Sequence, residues 1–137
     1  MTNVKHQAQP IPYTWIETDT SETFLPDVNL ERNRWTVCVA GRANGPATIV
    51  ADVVGISCGF DVIVPAAELP EVRAGEVLAF IDTGAYQDAN ATNFNALPRP
   101  ATVLVTGDQA ELVKRAETVE DVFARDRIPP RLAPSNR

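Results

Sequence analysis

Residues 35–54, with the sequence WTVCVAGRANGPATIVADVV, decide the fold class of this chain. The first part alternates apolar and small polar residues, and the last part is rich in β-branched residues. The turn-forming sequence Asn44-Gly45-Pro46 separates the two parts. Because β-branched runs divided by such a turn are typical of paired strands, we expect residues 35–39 and 48–54 to form a β-hairpin.

Further short strands are predicted on the C-terminal side of this stretch. Apolar runs lie at residues 61–64, 77–81 and 102–106, and Gly107-Asp108 turns the chain towards residues 110–115. Five or six short strands at this spacing predict a mainly β fold, a small β-barrel or sandwich.

One short helix is predicted near the C-terminus, where Thr118 and Asp121 have the spacing of a capping box. Residues 1–33 show no sustained hydrophobic period. We therefore expect an extended, partly ordered arm there, with room for one short strand. The β domain is expected over residues 34–125, with its core between Arg34 and Phe123. A tail rich in proline and arginine follows at residues 126–137.

Composition excludes several kinds of function. The 137 residues carry a formal net charge of −6, which opposes binding to the phosphate backbone of a nucleic acid. Two cysteines without a CxxC pair indicate a cytoplasmic protein with reduced thiols. No apolar run approaches the roughly 20 residues of a membrane-spanning helix, so neither a nucleic-acid nor a membrane partner is expected.

Two loop sequences contain residues suited to chemistry. Residues 84–95, GAYQDANATNFN, bring small and amide residues to a ligand or, alternatively, form a surface loop anchored by an aromatic residue. In the first case Tyr86 offers a phenolic donor. Residues 55–61, GISCGFD, place the thiol of Cys58 and the carboxylate of Asp61 where they can face one pocket. The alternative is that Cys58 is a small buried residue in a turn.

Other site types lack the necessary residues. The single histidine, His6, lies in a polar N-terminal segment, so a Cys–His nucleophile is not expected. One histidine, two scattered cysteines and no carboxylate cluster predict no metal site. The only lysines are Lys5 and Lys114.

Five short motifs occur in one order at compact spacing. They are Cys58-Gly59-Phe60-Asp61, Gly75-Glu76-Val77-Leu78-Ala79, Asp82-Thr83-Gly84-Ala85-Tyr86, Asn93-Phe94-Asn95 and Pro98-Arg99-Pro100. This series resembles the C-terminal domain of the pyridoxal-phosphate-dependent decarboxylases of the diaminopimelate and ornithine type, which have an alanine-racemase-like β domain. The resemblance covers about residues 34–125.

The resemblance implies a β-barrel-like domain that normally follows a (β/α)8 barrel. That barrel carries the lysine that binds the cofactor. Tyr86 would reach the phosphate of pyridoxal phosphate, and Cys58 would be a catalytic residue in a loop that crosses a dimer interface. Gly59 stands where the family has an acidic residue. Asp61 is therefore the candidate substrate-binding carboxylate, provided that the turn is rebuilt.

No part of the sequence resembles the barrel, and neither Lys5 nor Lys114 lies in the family's lysine motif. The expected partners are therefore a cofactor-binding barrel chain or further copies of this chain, together with an amino-acid substrate. Alone, the domain is expected to be inactive and not to retain pyridoxal phosphate. The alternative is a non-catalytic binding or regulatory module, or a gene relic, that kept the fold.

Overall fold

A computed structural model describes residues 3–8, 10–26, 35–59 and 61–133. The chain divides into two compact units, Met1–Asn95 and Ala96–Arg137. The strands are β1 (Asn3–Gln7), β2 (Tyr13–Glu17), β3 (Thr36–Val39), β4 (Ile49–Val54), β5 (Val62–Leu69), β6 (Leu78–Ile81), β7 (Thr102–Thr106) and β8 (Gln109–Lys114). Two short helices are α1 (Gln87–Asn90) and α2 (Val119–Val122), and 3-10 turns occur at Ala40–Arg42, Phe94–Ala96 and Pro130–Leu132. None of the helices in these ranges is long and apolar enough to cross a membrane.

The first unit is built on a four-stranded sheet with the order β1-β2-β4-β5. Strand β2 runs parallel to β4, and the other neighbours in this sheet are antiparallel. Strands β3 and β6 form a separate antiparallel pair. The prediction of a small, mainly β domain is confirmed, and the sheets formed by the described residues do not close into a barrel.

The core of the first unit lies on strands β2 to β5. Its most deeply buried aliphatic side chains are Ile16, Val39, Val53, Ile63 and Leu69. Because β2 contributes the completely buried Ile16, the prediction that the core begins at Arg34 is wrong. The arm predicted over residues 1–33 contains two strands, each too short to give a clear period. The bounds 34–125 and 126–137 stay predictions.

The predicted hairpin over residues 35–54 is also wrong. Strand β3 pairs with β6, and β4 pairs with β2 and β5. The connection over residues 40–48 is longer than the two to five residues typical of a hairpin loop. The pairing of these strands is therefore set by burial against the core and not by the turn sequence.

The strand predicted over residues 61–64 continues to Leu69. It passes Pro65 at an irregularity, where Ala66 has a φ of 50°. The Ala66 N–H donates to the side-chain Oδ1 of Asp52 on β4 at 2.7 Å instead of to a backbone carbonyl of that strand. A proline is tolerated in a strand where the ladder is interrupted in this way.

The second unit contains the predicted hairpin of β7 and β8, which is confirmed, with Gly107 at a φ of 62° in its turn. The predicted helix is also confirmed as α2. The Asp121 carboxylate accepts from the Thr118 N–H at 2.8 Å, and the Thr118 hydroxyl accepts from the Asp121 N–H at 3.3 Å. This is the expected capping box.

Candidate functional site

The two loops predicted to carry chemistry are hydrogen-bonded to a third segment in the first unit. The Ile56 N–H donates to the carbonyl of Thr20, and the Thr92 N–H donates to the carbonyl of Thr23, both at 3.0 Å. The structure thus brings together residues 20–23, residues 55–59 with Asp61, and residues 92–95. We call this group of segments the loop cluster.

Asp61 fixes the geometry of the loop cluster. Its side chain is 5% exposed, and its carboxylate accepts from the N–H groups of Glu22 at 2.6 Å and of Ser57 at 2.7 Å. The Asp61 carbonyl accepts from the Gly55 N–H at 2.8 Å. A Cβ on Gly55 would overlap the Asp61 carboxylate, so the close approach requires glycine there. The substrate-binding role of Asp61 stays a prediction, and its placement favours a role in positioning the loop.

Cys58 presents its side chain at the surface of the loop cluster. It is a free, exposed cysteine, so the alternative of a small buried cysteine is wrong. Its Sγ accepts a hydrogen bond from Nδ2 of Asn95 at 3.1 Å. Asn95 has a φ of 59° and a ψ of 22°, a left-handed conformation that asparagine tolerates better than most residues. The two motif loops therefore meet at the thiol, and the catalytic role of Cys58 stays a prediction.

Tyr86 is held in an unusual backbone conformation in the second motif loop. Its φ of 66° is uncommon for an aromatic residue, and it directly precedes α1, where its carbonyl accepts from the Asn90 N–H at 2.9 Å. The side chain is 71% exposed. The phenol is therefore accessible to a ligand, which its predicted contact with a cofactor phosphate requires.

Gln87 anchors the loop that carries Tyr86. It is 5% exposed, and its Nε2 donates to the Ala85 carbonyl at 3.1 Å. Its Oε1 is buried without a hydrogen-bond partner among the described residues. The loop is therefore partly packed into the domain and is not a purely solvated surface loop.

Sequence reasoning missed Glu22, which also belongs to the loop cluster. Its Oε1 lies 3.2 Å from the position that a Cβ on Gly59 would take. Glu22 belongs to a polar stretch in which Thr18, Ser21 and Thr23 are buried. Nothing in its residue types distinguishes this stretch from a loop, so no sequence signal identifies Glu22 as a site residue.

Neither lysine lies in the loop cluster. Lys5 is on β1, where its Nζ lies 2.5 Å from a carboxylate oxygen of Glu17, and Lys114 is the last residue of β8 in the second unit. In the described ranges, no three histidine, cysteine or acidic side chains group as a metal site would require. The loop cluster itself therefore offers a thiol and carboxylates, but no amine.

Comparisons with curated proteins identify diaminopimelate decarboxylases among the relatives of this chain. The diaminopimelate decarboxylase of Synechocystis sp. is 34% identical over 120 residues, which cover 87% of this chain and 26% of that protein. The diaminopimelate decarboxylase of Bacillus subtilis is 35% identical over 98 residues, 71% of this chain and 22% of that protein. No protein-family model matches the chain. The chain spans about a quarter of the length of the curated relatives that it matches.

The fold comparison agrees with the sequence comparison. The crystal structure of diaminopimelate decarboxylase from M. jannaschii in complex with L-lysine superposes with a TM-score of 0.83 at 27% identity. The match covers 96% of this chain and 30% of that chain. The similarity therefore extends over both compact units.

Proposed function

We propose that this chain supplies one part of a decarboxylase active site. The chain belongs to the diaminopimelate decarboxylase family and matches its C-terminal region. The family depends on pyridoxal phosphate. The other part of the site would come from a (β/α)8 barrel, in the same polypeptide or in a separate chain. The substrate would be an amino acid with a second amino group, as in diaminopimelate.

The observation that carries this proposal is the loop cluster. Segments that are far apart in the sequence are tied by hydrogen bonds into one surface that presents Cys58. The buried carboxylate of Asp61 holds that surface in place by accepting hydrogen bonds from two of its backbone N–H groups. Preorganisation of this kind is what a site contributed by one domain to another requires, since a misplaced group loses most of its effect.

In this proposal each motif residue has a separate task. The exposed phenol of Tyr86 donates a hydrogen bond to a phosphate oxygen. The Cys58 thiol, oriented by Asn95, lies against the substrate at a dimer interface. Asp61 positions the turn that carries Cys58. Pyridoxal phosphate, when bound, supplies the electron sink for loss of the carboxyl group.

The isolated chain would not retain the cofactor. Millimolar affinity requires about 4 kcal/mol of binding free energy, whereas one hydrogen bond from Tyr86 contributes about 1 kcal/mol net. Lys5 on β1 is paired with Glu17 on β2, and both lie outside the loop cluster. Binding and catalysis therefore depend on groups of the barrel. The free thiols of Cys38 and Cys58 suit a reducing compartment, and we place the enzyme in the cytoplasm.

Reconstitution tests this proposal. The chain is mixed with the barrel of a diaminopimelate decarboxylase prepared without its own C-terminal domain, and complex formation and carbon dioxide release from diaminopimelate are measured. We expect a complex that turns over, and either protein alone is expected to be inactive. Failure to form a complex would contradict the proposal, and a complex without turnover would favour a non-catalytic module.

The role of Tyr86 is tested in the same complex by Tyr86→Phe. Loss of a hydrogen bond to a charged phosphate is expected to weaken cofactor affinity about tenfold or more, measured by absorbance titration. Tyr13→Phe is the matched control, because Tyr13 lies on β2 and donates to Asp52 in the sheet. Equal cofactor affinity in the two variants would show that Tyr86 does not bind the phosphate.

A further inference from the structure

A carboxylate from outside the motifs lies over the turn that carries Cys58. Glu22 Oε1 lies 3.2 Å, and a ring carbon of Phe94 3.4 Å, from the position of a Cβ on Gly59. Both distances are at or below the lower end of ordinary van der Waals contact. A side chain at position 59 would therefore displace Glu22 or the ring. The glycine leaves the space that the Glu22 carboxylate occupies.

The backbone of Glu22 is fixed by buried groups. Its N–H donates to Oδ1 of Asp61 at 2.6 Å, and its carbonyl accepts from the Leu25 N–H at 3.1 Å. The residues on either side, Ser21 and Thr23, are 0% and 8% exposed. The Glu22 side chain thus extends from a defined point towards the surface of the loop cluster.

The two carboxylates beside Cys58 are in different states. Asp61 is buried, and its carboxylate already accepts hydrogen bonds from two backbone N–H groups. Glu22 is half-buried, and its carboxylate has no hydrogen-bond or ion-pair partner among the described residues. A carboxylate that is partly removed from water and has no partner is stabilised when it binds a cation that can donate hydrogen bonds.

We propose that Glu22 is a specificity-determining residue that binds the distal ammonium group of a diamino acid. This inference rests on the proposed function and names the residue that would select the substrate. Phe94, which is 48% exposed, offers its ring to the aliphatic chain that joins the two amino groups. An amino acid of the same length without the distal ammonium would pack against Phe94 and leave Glu22 unpaired.

The first test follows binding and does not require turnover. The full chain, alone and with the barrel, is titrated with L-lysine and with norleucine, which has the same chain length but no distal amino group. The side-chain carboxyl signal of Glu22 is observed by carbon-13 NMR. We expect a saturable shift with L-lysine and none with norleucine. In Glu22→Gln, the NMR signals of the other loop-cluster residues are expected to lose their response to L-lysine. Absence of a lysine-specific shift in both samples would overturn the inference.

The second test uses turnover in the reconstituted complex. Glu22→Gln is expected to raise KM for the diamino acid about tenfold with a smaller change in kcat. Glu68→Gln is the control, since Glu68 is exposed on β5 outside the loop cluster. In Glu22→Ala/Gly59→Glu the new carboxylate enters the vacated space, and KM is expected to recover towards the wild-type value.

The outcomes separate the two proposals. A lysine-specific shift at Glu22 without turnover supports this inference and contradicts the proposed function. Turnover with an unchanged KM in Glu22→Gln supports the proposed function and overturns the inference. Tryptophan fluorescence of each variant shows whether the first unit is folded, because Trp15 and Trp35 both lie in that unit.

Discussion

The two compact units of this chain are stabilised in different ways. The first unit encloses a cluster of buried aliphatic side chains that includes Ile16, Val53 and Ile63. In the second unit none of the described residues is buried. Its contacts include an Arg99–Glu117 ion pair, an Arg115–Asp121 ion pair at 2.5 Å and the capping box of α2. Surface ion pairs contribute only about 0–1 kcal/mol each, so hydrophobic burial favours the first unit as the independently stable one.

This difference bears on where a precise site can be built. The loop cluster belongs entirely to the first unit, and its central carboxylate, that of Asp61, is buried. Side chains held by buried groups keep their geometry, whereas elements with few buried contacts open more readily. The placement of Cys58 and Glu22 on the better-buried unit is therefore consistent with a role that needs fixed positions.

The largest effect is expected from Ile16→Ala, which tests whether β2 belongs to the core. Removing a fully buried isoleucine side chain is expected to lower the free energy of unfolding by about 3 kcal/mol. The measurement is urea unfolding followed by tryptophan fluorescence. The control is Ile11→Ala, at a side chain 68% exposed, which is expected to change stability by less than about 0.5 kcal/mol. Equal effects of the two substitutions would place β2 outside the core.

A somewhat smaller effect is expected from Asp61→Asn, which tests the buried support of the loop cluster. The amide retains one acceptor oxygen but brings an N–H group against one of the two backbone donors. We expect the free energy of unfolding of the first unit to fall by about 2 kcal/mol. Glu68→Gln removes an exposed carboxylate from β5 and serves as the control. If Asp61→Asn is as stable as this control, the two hydrogen bonds do not hold the turn.

Elements defined by neighbouring residues could be predicted from the sequence. The β7–β8 hairpin has its turn at Gly107-Asp108, and α2 has both capping partners within four residues. The pairing of β3 with β6 could not be predicted, because it joins residues about 40 positions apart and depends on burial against the core. A turn sequence fixes a hairpin only where the loop is short.

The same distinction holds for the loop cluster. Its two motif loops could be predicted, since each contains recognisable residues within one stretch of sequence. Glu22 could not, because it lies near Gly59 only after distant segments have been joined, for example by the hydrogen bond from its own N–H to Asp61. The residues on either side of Glu22, Ser21 and Thr23, bury hydroxyl side chains, so hydrophobic patterning does not detect this segment.

The smallest expected effect is a pH dependence confined to the second unit. Hydrogen bonds from the Arg115 guanidinium and from the Thr118 N–H hold the pKa of the Asp121 carboxyl well below its ordinary value of about 4. Because the lower pKa belongs to the folded state, Asp121 stabilises α2 fully above pH 4 and does so less as the pH falls towards that lower pKa.

Amide hydrogen exchange of Val122 and Phe123, which follow the capping box, measures this effect. After correction for the intrinsic pH dependence of exchange, protection is expected to be constant from pH 7 to about pH 5 and to fall below about pH 4. The pKa of the neighbouring Glu120 is also lowered, chiefly by a hydrogen bond from its own N–H. Asp121→Asn is therefore needed as the control. If that variant shows the same loss of protection, the titration belongs to Glu120. If wild-type protection does not change with pH, the Arg115–Asp121 pair does not stabilise the second unit. The stability of that unit must then come from other contacts.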